Sequence, residues 1–216
     1  EAAPALSSVE ATASADGKAL EVSRAAHKTL KAVAADIEAL LRLADEQKIR
    51  LVVNGGAEAW LLRGRLAEAG VAVILDPMVF GPGSFDQIEA RPDNAALLHR
   101  AGVDIIISGG GRYFPLGLRY LAGDAVRSGL DYDAALDAIT STPAKVFQLP
   151  GRGQIEAGAV ANLVAWSGDP FELSSQPLEI LVRGRAVSLS TRRTELRERY
   201  RRLPGSPVPP PPLPTP

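Results

Sequence analysis

Apolar residues follow two rhythms along the first two-thirds of this chain. Short aliphatic, β-branched runs stand at 49–53, 71–75 and 103–107, with a weaker one at 19–23. Runs of this length bounded by glycine read as buried strands. Between them the spacing turns helical. Over 24–48, Leu30, Val33, Ile37, Leu40, Leu41 and Ala44 recur three and four apart and define one buried stripe, with Glu38 and Arg42 outward at i,i+4. Further helices are expected over 57–69, ended by Gly70, over 93–101, ended by Gly102, and over 116–128. Asp131 caps another through Ile139, and Pro143 opens a turn toward Phe147. Strand and helix thus alternate four times between 19 and 129, which predicts parallel strands with covering helices. A complete eight-unit barrel needs ~250 residues.

After Pro150 the pattern changes. Residues 155–160 read as a turn and 163–166 as a strand. A hairpin runs over 178–182 and 185–189 around Arg183-Gly184, and 191–202 is a charged helix. Three short antiparallel strands cannot bury their own face and must pack on something else. The expected organisation is a flexible segment at 1–16, an α/β part at 17–150, β strands at 151–190, a closing helix at 191–203 and a proline-rich tail at 204–216. The tail should be extended and lie outside the fold.

Composition narrows the partners. The net charge is −1 with the basic residues dispersed, which argues against nucleic acid or an anionic membrane as the main partner. There is no cysteine, so no disulfide or thiolate chemistry. No apolar run approaches the ~20 residues of a membrane span. The chain starts at Glu1 rather than methionine. A processed, exported protein and a portion of a longer chain both fit that start, and either a cytoplasmic or a periplasmic setting is compatible.

Candidate chemistry gathers where strands end. The run Ile105-Ile-Ile-Ser-Gly-Gly-Gly-Arg112 is a strand followed by a glycine turn before a helix, the place where α/β proteins put ligands. Gly109, Gly110, Gly111 and Arg112 could hold an anion or small polar molecule through backbone N–H groups and the guanidinium; a plain flexible turn is the competing reading. Asp76 ends the 71–75 strand, a position suited to a catalytic carboxylate, but it has no carboxylate partner by spacing. Glu58 begins a helix, where its charge is favourable. His27 and His99 are the two histidines, and neither is paired with another by spacing. No hydrolase triad can be assembled from them. Trp60 and Trp166 read as core or interface aromatics, and 192–202 as a solvated mixed-charge face.

Three segments carry a resemblance: Ala135-Leu-Asp-Ala-Ile-Thr-Ser-Thr-Pro-Ala-Lys-Val146, Gly151-Arg-Gly-Gln-Ile-Glu-Ala-Gly-Ala-Val-Ala-Asn-Leu-Val-Ala-Trp-Ser-Gly-Asp-Pro170, and Leu181-Val-Arg-Gly-Arg-Ala-Val187. They resemble the late-barrel helix, the return to the small β domain and the final hairpin of the metal-dependent amidohydrolases, the imidazolonepropionase- and dihydroorotase-like enzymes. Residues 17–45 and 51–60 resemble the second half of that family's barrel. The resemblance implies a (β/α)8 barrel with a side β-sandwich built from both chain ends. It also implies divalent metal at the C-terminal ends of the strands, where metal-bound hydroxide attacks an amide-type carbon. The present chain is then the barrel's second half, about four βα units, plus a small antiparallel β domain.

The family's ligands are a His-x-His on the first strand, a mid-barrel Lys or Glu, a His on each of two middle strands and a late Asp. The His-x-His would fall before Glu1. The positions this chain covers hold Ser23, Asn54-Gly55 and Gly110. Glycine offers no side chain and serine is a poor ligand for such ions. The expectation is therefore an amidohydrolase-like protein without its own metal or other cofactor, acting as a non-catalytic homologue, a partner subunit or a homo-oligomer. One alternative is an active enzyme holding zinc or another divalent metal with ligands from an upstream segment or second chain, His27 or Asp76 being recruited. Another is a module that binds a small polar molecule or anion at the strand ends.

Overall fold

The computed structural model describes residues 10–15, 18–21, 32–79, 81, 87–109 and 117–201. The chain divides into two units, Glu1–Gln154 and Ile155–Pro216, each with its own sheet and at least one helix.

In the first unit the sheet is built from β1 (Glu10–Ala15), β2 (Lys18–Glu21), β3 (Arg50–Asn54), β4 (Ala72–Leu75) and β5 (Ile105–Ile107). The order is β2-β1-β3-β4-β5. β3, β4 and β5 run parallel, with Val53 opposite Val73 and Val73 opposite Ile105. Here the alternation of strand and helix was read correctly. The outer pair corrects it. β1 falls in a stretch of small and polar residues expected to form nothing, yet it pairs antiparallel with both β2 and β3. The expected 19–23 strand therefore joins the sheet through a hairpin and not beside β3. The pairing is made by backbone groups, which alternation of side chains does not report.

The strands are apolar because both faces are covered. On one face, the fully buried Val53 and Val73 meet Ala59: a Cβ placed on Gly56 would lie 2.9 Å from both Ala59 and Val73, so glycine is needed for this close approach. α1 (Ala32–Gln47) packs on β3 and on the 3-10 turn Ala59–Leu62, burying Ile37 and Leu41. On the other face, Ala72 and Ile106, with Val52 and Ile74, pack against Val146 of the helix Ser141–Val146. That helix was expected only as a turn. Pro143 sits in its first turn, where a missing N–H breaks no helical bond.

The remaining helices, in chain order, are α2 (Arg63–Glu68), α3 (Asn94–Arg100), α4 (Leu118–Arg127), α5 (Tyr132–Asp137) and α6, the Ser141–Val146 helix just described. α3 and α4 pack on β5. The expected 57–69 helix is thus a 3-10 turn followed by α2. Asp131 caps α5 as expected, its Oδ1 accepting from the N–H of Asp133 and Ala134. Glu38 does not pair with Arg42; it accepts from Arg65 of α2 at 2.9 Å, tying two elements together.

The second unit holds β6 (Leu163–Trp166), β7 (Pro177–Val182) and β8 (Arg185–Ala186), antiparallel in that order, then α7 (Arg192–Tyr200). The hairpin turn has Arg183 at φ 51° and Gly184 at φ 75°, the two left-handed residues that a two-residue hairpin requires. Two bonds pin it: Arg183 N–H donates to Asn162 Oδ1 and Gly184 N–H to Ala161 O, both at 2.9 Å. β8 is shorter than the expected 185–189 strand.

Candidate functional site

The C-terminal edge of β3, β4 and β5 brings together Asn54-Gly55, Asp76 and Ser108-Gly109. Parallel pairing sets this edge. Gly55 N–H donates to Ile74 O and Ser108 N–H to Leu75 O, each at 2.9 Å, so the three strand ends are held level. Asn54, Asp76, Ser108 and Gly109 are all half-buried. Of these, only Asp76 carries charge. Its Oδ1 accepts the N–H of Met78 at 2.9 Å and its carbonyl accepts Val79 N–H at 3.0 Å, an Asx-type turn that fixes the carboxylate on its own loop. The other sequence candidates, Ser23, His27, Gly110, Gly111 and Arg112, lie outside the described residues. His99 is exposed in the last turn of α3.

Beneath this edge lies a polar network that sequence reading missed. Asn94, buried at 6% exposure, accepts Trp60 N–H at 3.2 Å and donates to Gly56 O and Ala57 O at 2.8 and 3.2 Å. Glu58, equally buried, accepts Glu89 N–H at 3.0 Å. Trp60 Nε1 donates to Glu89 O at 2.8 Å, and the Arg91 guanidinium lies 4.8 Å above the Trp60 ring. These bonds tie the loop after β3 to the segment after β4. Glu58 thus acts as a bracket between loops, beyond the helix-start role its position suggests. Trp60 is half-buried and bonded as well as packed. The Arg91 guanidinium that hydrogen-bonds Asp93 holds that carboxyl below the usual carboxylate range. Nothing in residue type or spacing marks Asn94 as the hub, because its partners lie 34 to 38 residues away.

A metal at this edge would need three or four converging donors. Among the described residues no group of three or more His, Cys, Asp or Glu could hold an ion. Asp76 is one carboxylate, Asn54 an amide and Ser108 a hydroxyl, a donor set that fits a hydrogen-bonded polar ligand better than a zinc-type ion. The chemistry open to these groups is hydrogen bonding and charge pairing with a small cation or amide. At the opposite ends of the strands there is a cleft of about 740 Å³, lined by Arg50, Ala72, Asp104 and Lys145 among others. Its charges are largely satisfied within the protein. Lys145 pairs with Asp104 at 2.7 Å, Lys48 with Asp45 at 2.9 Å, and Arg50 donates to Val146 O at 3.0 Å.

Comparison with known proteins points one way. A family model described as the amidohydrolase family matches residues 117–188. The amidohydrolase tasK of Hapsidospora irregularis is 37% identical over 59 residues, 27% of this chain and 6% of that protein. The crystal structure of an amidohydrolase from Thermotoga maritima superposes with a TM-score of 0.67 at 30% identity, covering 72% of this chain and 41% of that one. N-isopropylammelide isopropylaminohydrolase from Burkholderia multivorans shares the fold, with a TM-score of 0.56 at 17% identity over 74% of this chain and 45% of its own. The chain spans less than half the length of each of these relatives.

Proposed function

This chain belongs to the amidohydrolase superfamily, and from that premise we propose that it carries the scaffold of a C–N bond hydrolase without a metal centre of its own. In this reading β3, β4 and β5 with their helices are strands of the second half of a (β/α)8 barrel. The three-stranded sheet of the second unit is its share of the small β domain. The protein then serves as a non-catalytic homologue or partner subunit. The carrying observation is the make-up of the ends of β3, β4 and β5: Asn54-Gly55 closes β3, Ser108-Gly109 closes β5, and Asp76, the one carboxylate among these described strand ends, is engaged by its own turn. A hydroxide-generating metal needs a histidine- or carboxylate-rich open site.

Turnover tests the proposal. With added zinc, nickel or manganese, the purified chain should hydrolyse linear and cyclic amides no faster than buffer does. A metal-dependent rate that falls when Asp76 is replaced by Asn would overturn it. The competing reading is an active enzyme whose other ligands come from elsewhere. It is favoured by one fact, that 59% of the Thermotoga protein has no counterpart in the matched region, since 41% is covered. Mixing with an active homologue separates the two: a metal-dependent rate above that homologue's own, lost with Asp76→Asn, supports the second.

A further inference from the structure

We propose that α7 docks the protein on an anionic phospholipid surface. The inference rests on α7 alone and is independent of any chemistry at the strand ends. The helix is capped at its start by Thr191, whose hydroxyl accepts Thr194 N–H while the Thr194 hydroxyl accepts Thr191 N–H, a reciprocal box that sets the helix without tertiary support. All of its residues are exposed. Leu196 and Tyr200, four apart and so on one side, are 37% and 63% exposed. Arg192 lies one turn before Leu196 in the same row, Arg193 and Arg197 form the neighbouring row, and Arg199 borders the other side. Glu198 falls on the far side and Glu195 on the flank beyond Arg199, so the arc from Arg199 through Leu196 to Arg197 holds no glutamate.

The charges are also unneutralised. Glu195 accepts the Ser190 hydroxyl and Glu198 pairs with Arg201, whereas Arg192, Arg193, Arg197 and Arg199 have no ion pair with a described residue. Residues 191–202 hold six arginines and two glutamates, +4, while the whole chain sums to −1, leaving −5 for the rest. An even total conceals one basic element, which the reading of the basic residues as dispersed passed over. A solvated mixed-charge helix would interleave its signs all round; this one keeps both glutamates off the arc that places Leu196 and Tyr200 among Arg192, Arg193, Arg197 and Arg199. That is the arrangement of a helix lying in a bilayer interface. Leu and Tyr enter the headgroup boundary, and arginines reach up their own stems to lipid phosphates. Nucleic acid would use the arginines and have no need of the Leu196–Tyr200 pair.

The test is co-sedimentation of the full chain with vesicles. At ~50 mM salt it should bind vesicles of phosphatidylcholine with about 30% phosphatidylserine, ignore pure phosphatidylcholine, and be released at ~500 mM salt. Arg193→Glu with Arg197→Glu should weaken partitioning about tenfold or more, and Leu196→Ser with Tyr200→Ser several-fold. Arg193→Lys with Arg197→Lys, which keeps charge and helix, should bind as the parent does. Equal binding to neutral vesicles, no binding to any vesicle, or tight binding to duplex DNA that the Leu196 and Tyr200 changes leave intact would each overturn the proposal.

Discussion

The two units spend their apolar side chains differently. Among the described residues, every buried hydrophobic side chain lies between Ile37 and Val146, in the first unit. There, parallel strands are sandwiched between helices and the aliphatic runs disappear from solvent. In the second unit Val164, Leu178 and Val182 of the sheet are 41–47% exposed, and Ile155 and Leu173 are 89% and 73% exposed. Its order comes from turn chemistry: the left-handed Arg183-Gly184 pair, the Asn162 brace and the Thr191 box. A core fixes a structure by packing, whereas a turn fixes it by local geometry. Only the first withstands the loss of a few hydrogen bonds.

The comparison can be broken first at the core. Leu66 is fully buried, so Leu66→Ala should destabilise the first unit by about 2–5 kcal/mol in denaturant titration, whereas Leu178→Ala in β7 should cost under ~1 kcal/mol. Comparable losses at both positions would show that the second sheet is packed after all. Next is the loop bracket. Asn94→Ala strands the Trp60 N–H and the Ala57 carbonyl and leaves the Gly56 carbonyl with the Ala59 N–H alone, and should cost about 1–3 kcal/mol, with faster amide exchange at Trp60. The second unit should respond instead to its turn. Arg183→Asn, a residue at ease with φ near +50°, should stabilise the hairpin by about 0.5–1 kcal/mol, read as slower exchange of the Gly184 and Val187 amides.

The smallest effect is electrostatic. Asp93 has its carboxyl lowered chiefly by the Arg91 hydrogen bond. A depressed carboxyl stabilises the fold above the unfolded pKa of about 3.9, and the contribution is lost as pH falls through the lower folded value. The pair is partly exposed, so Asp93→Asn should cost at most ~1 kcal/mol at neutral pH, and progressively less as pH falls below about 3.9. A melting difference that does not shrink as the pH is lowered would refute that cause.

How much could be read in advance follows from where the information sits. β3, β4 and β5 were legible because each is a short β-branched run closed by glycine or aspartate, and the Arg183-Gly184 hairpin because glycine marks the turn. β1 was not, since its six residues, Glu-Ala-Thr-Ala-Ser-Ala, alternate polar residues only with alanine, which is too small and too weak a strand former to mark a buried face. Asp16-Gly17, which stands in the sequence between β1 and β2, is the hairpin signal of this stretch. The helix expected over 57–69 is interrupted where Asn94 takes the Trp60 amide, and the partner of Glu38 proved to be Arg65. Both depend on residues 27 or more positions distant. At the candidate site, the place of Asp76 could be read from its strand end and that of Asn54-Gly55 from the resemblance, whereas Ser108 was not singled out. The network beneath them was not legible, because a buried asparagine looks like any other until its partners are in place.

The central claim is that this amidohydrolase scaffold no longer grips an ion, and metal analysis reaches it most directly. The purified chain would be equilibrated with zinc, nickel or manganese, desalted, and its metal content measured per polypeptide. The account predicts far less than one equivalent, unchanged by Asp76→Asn. One tightly held equivalent that Asp76→Asn removes would contradict it.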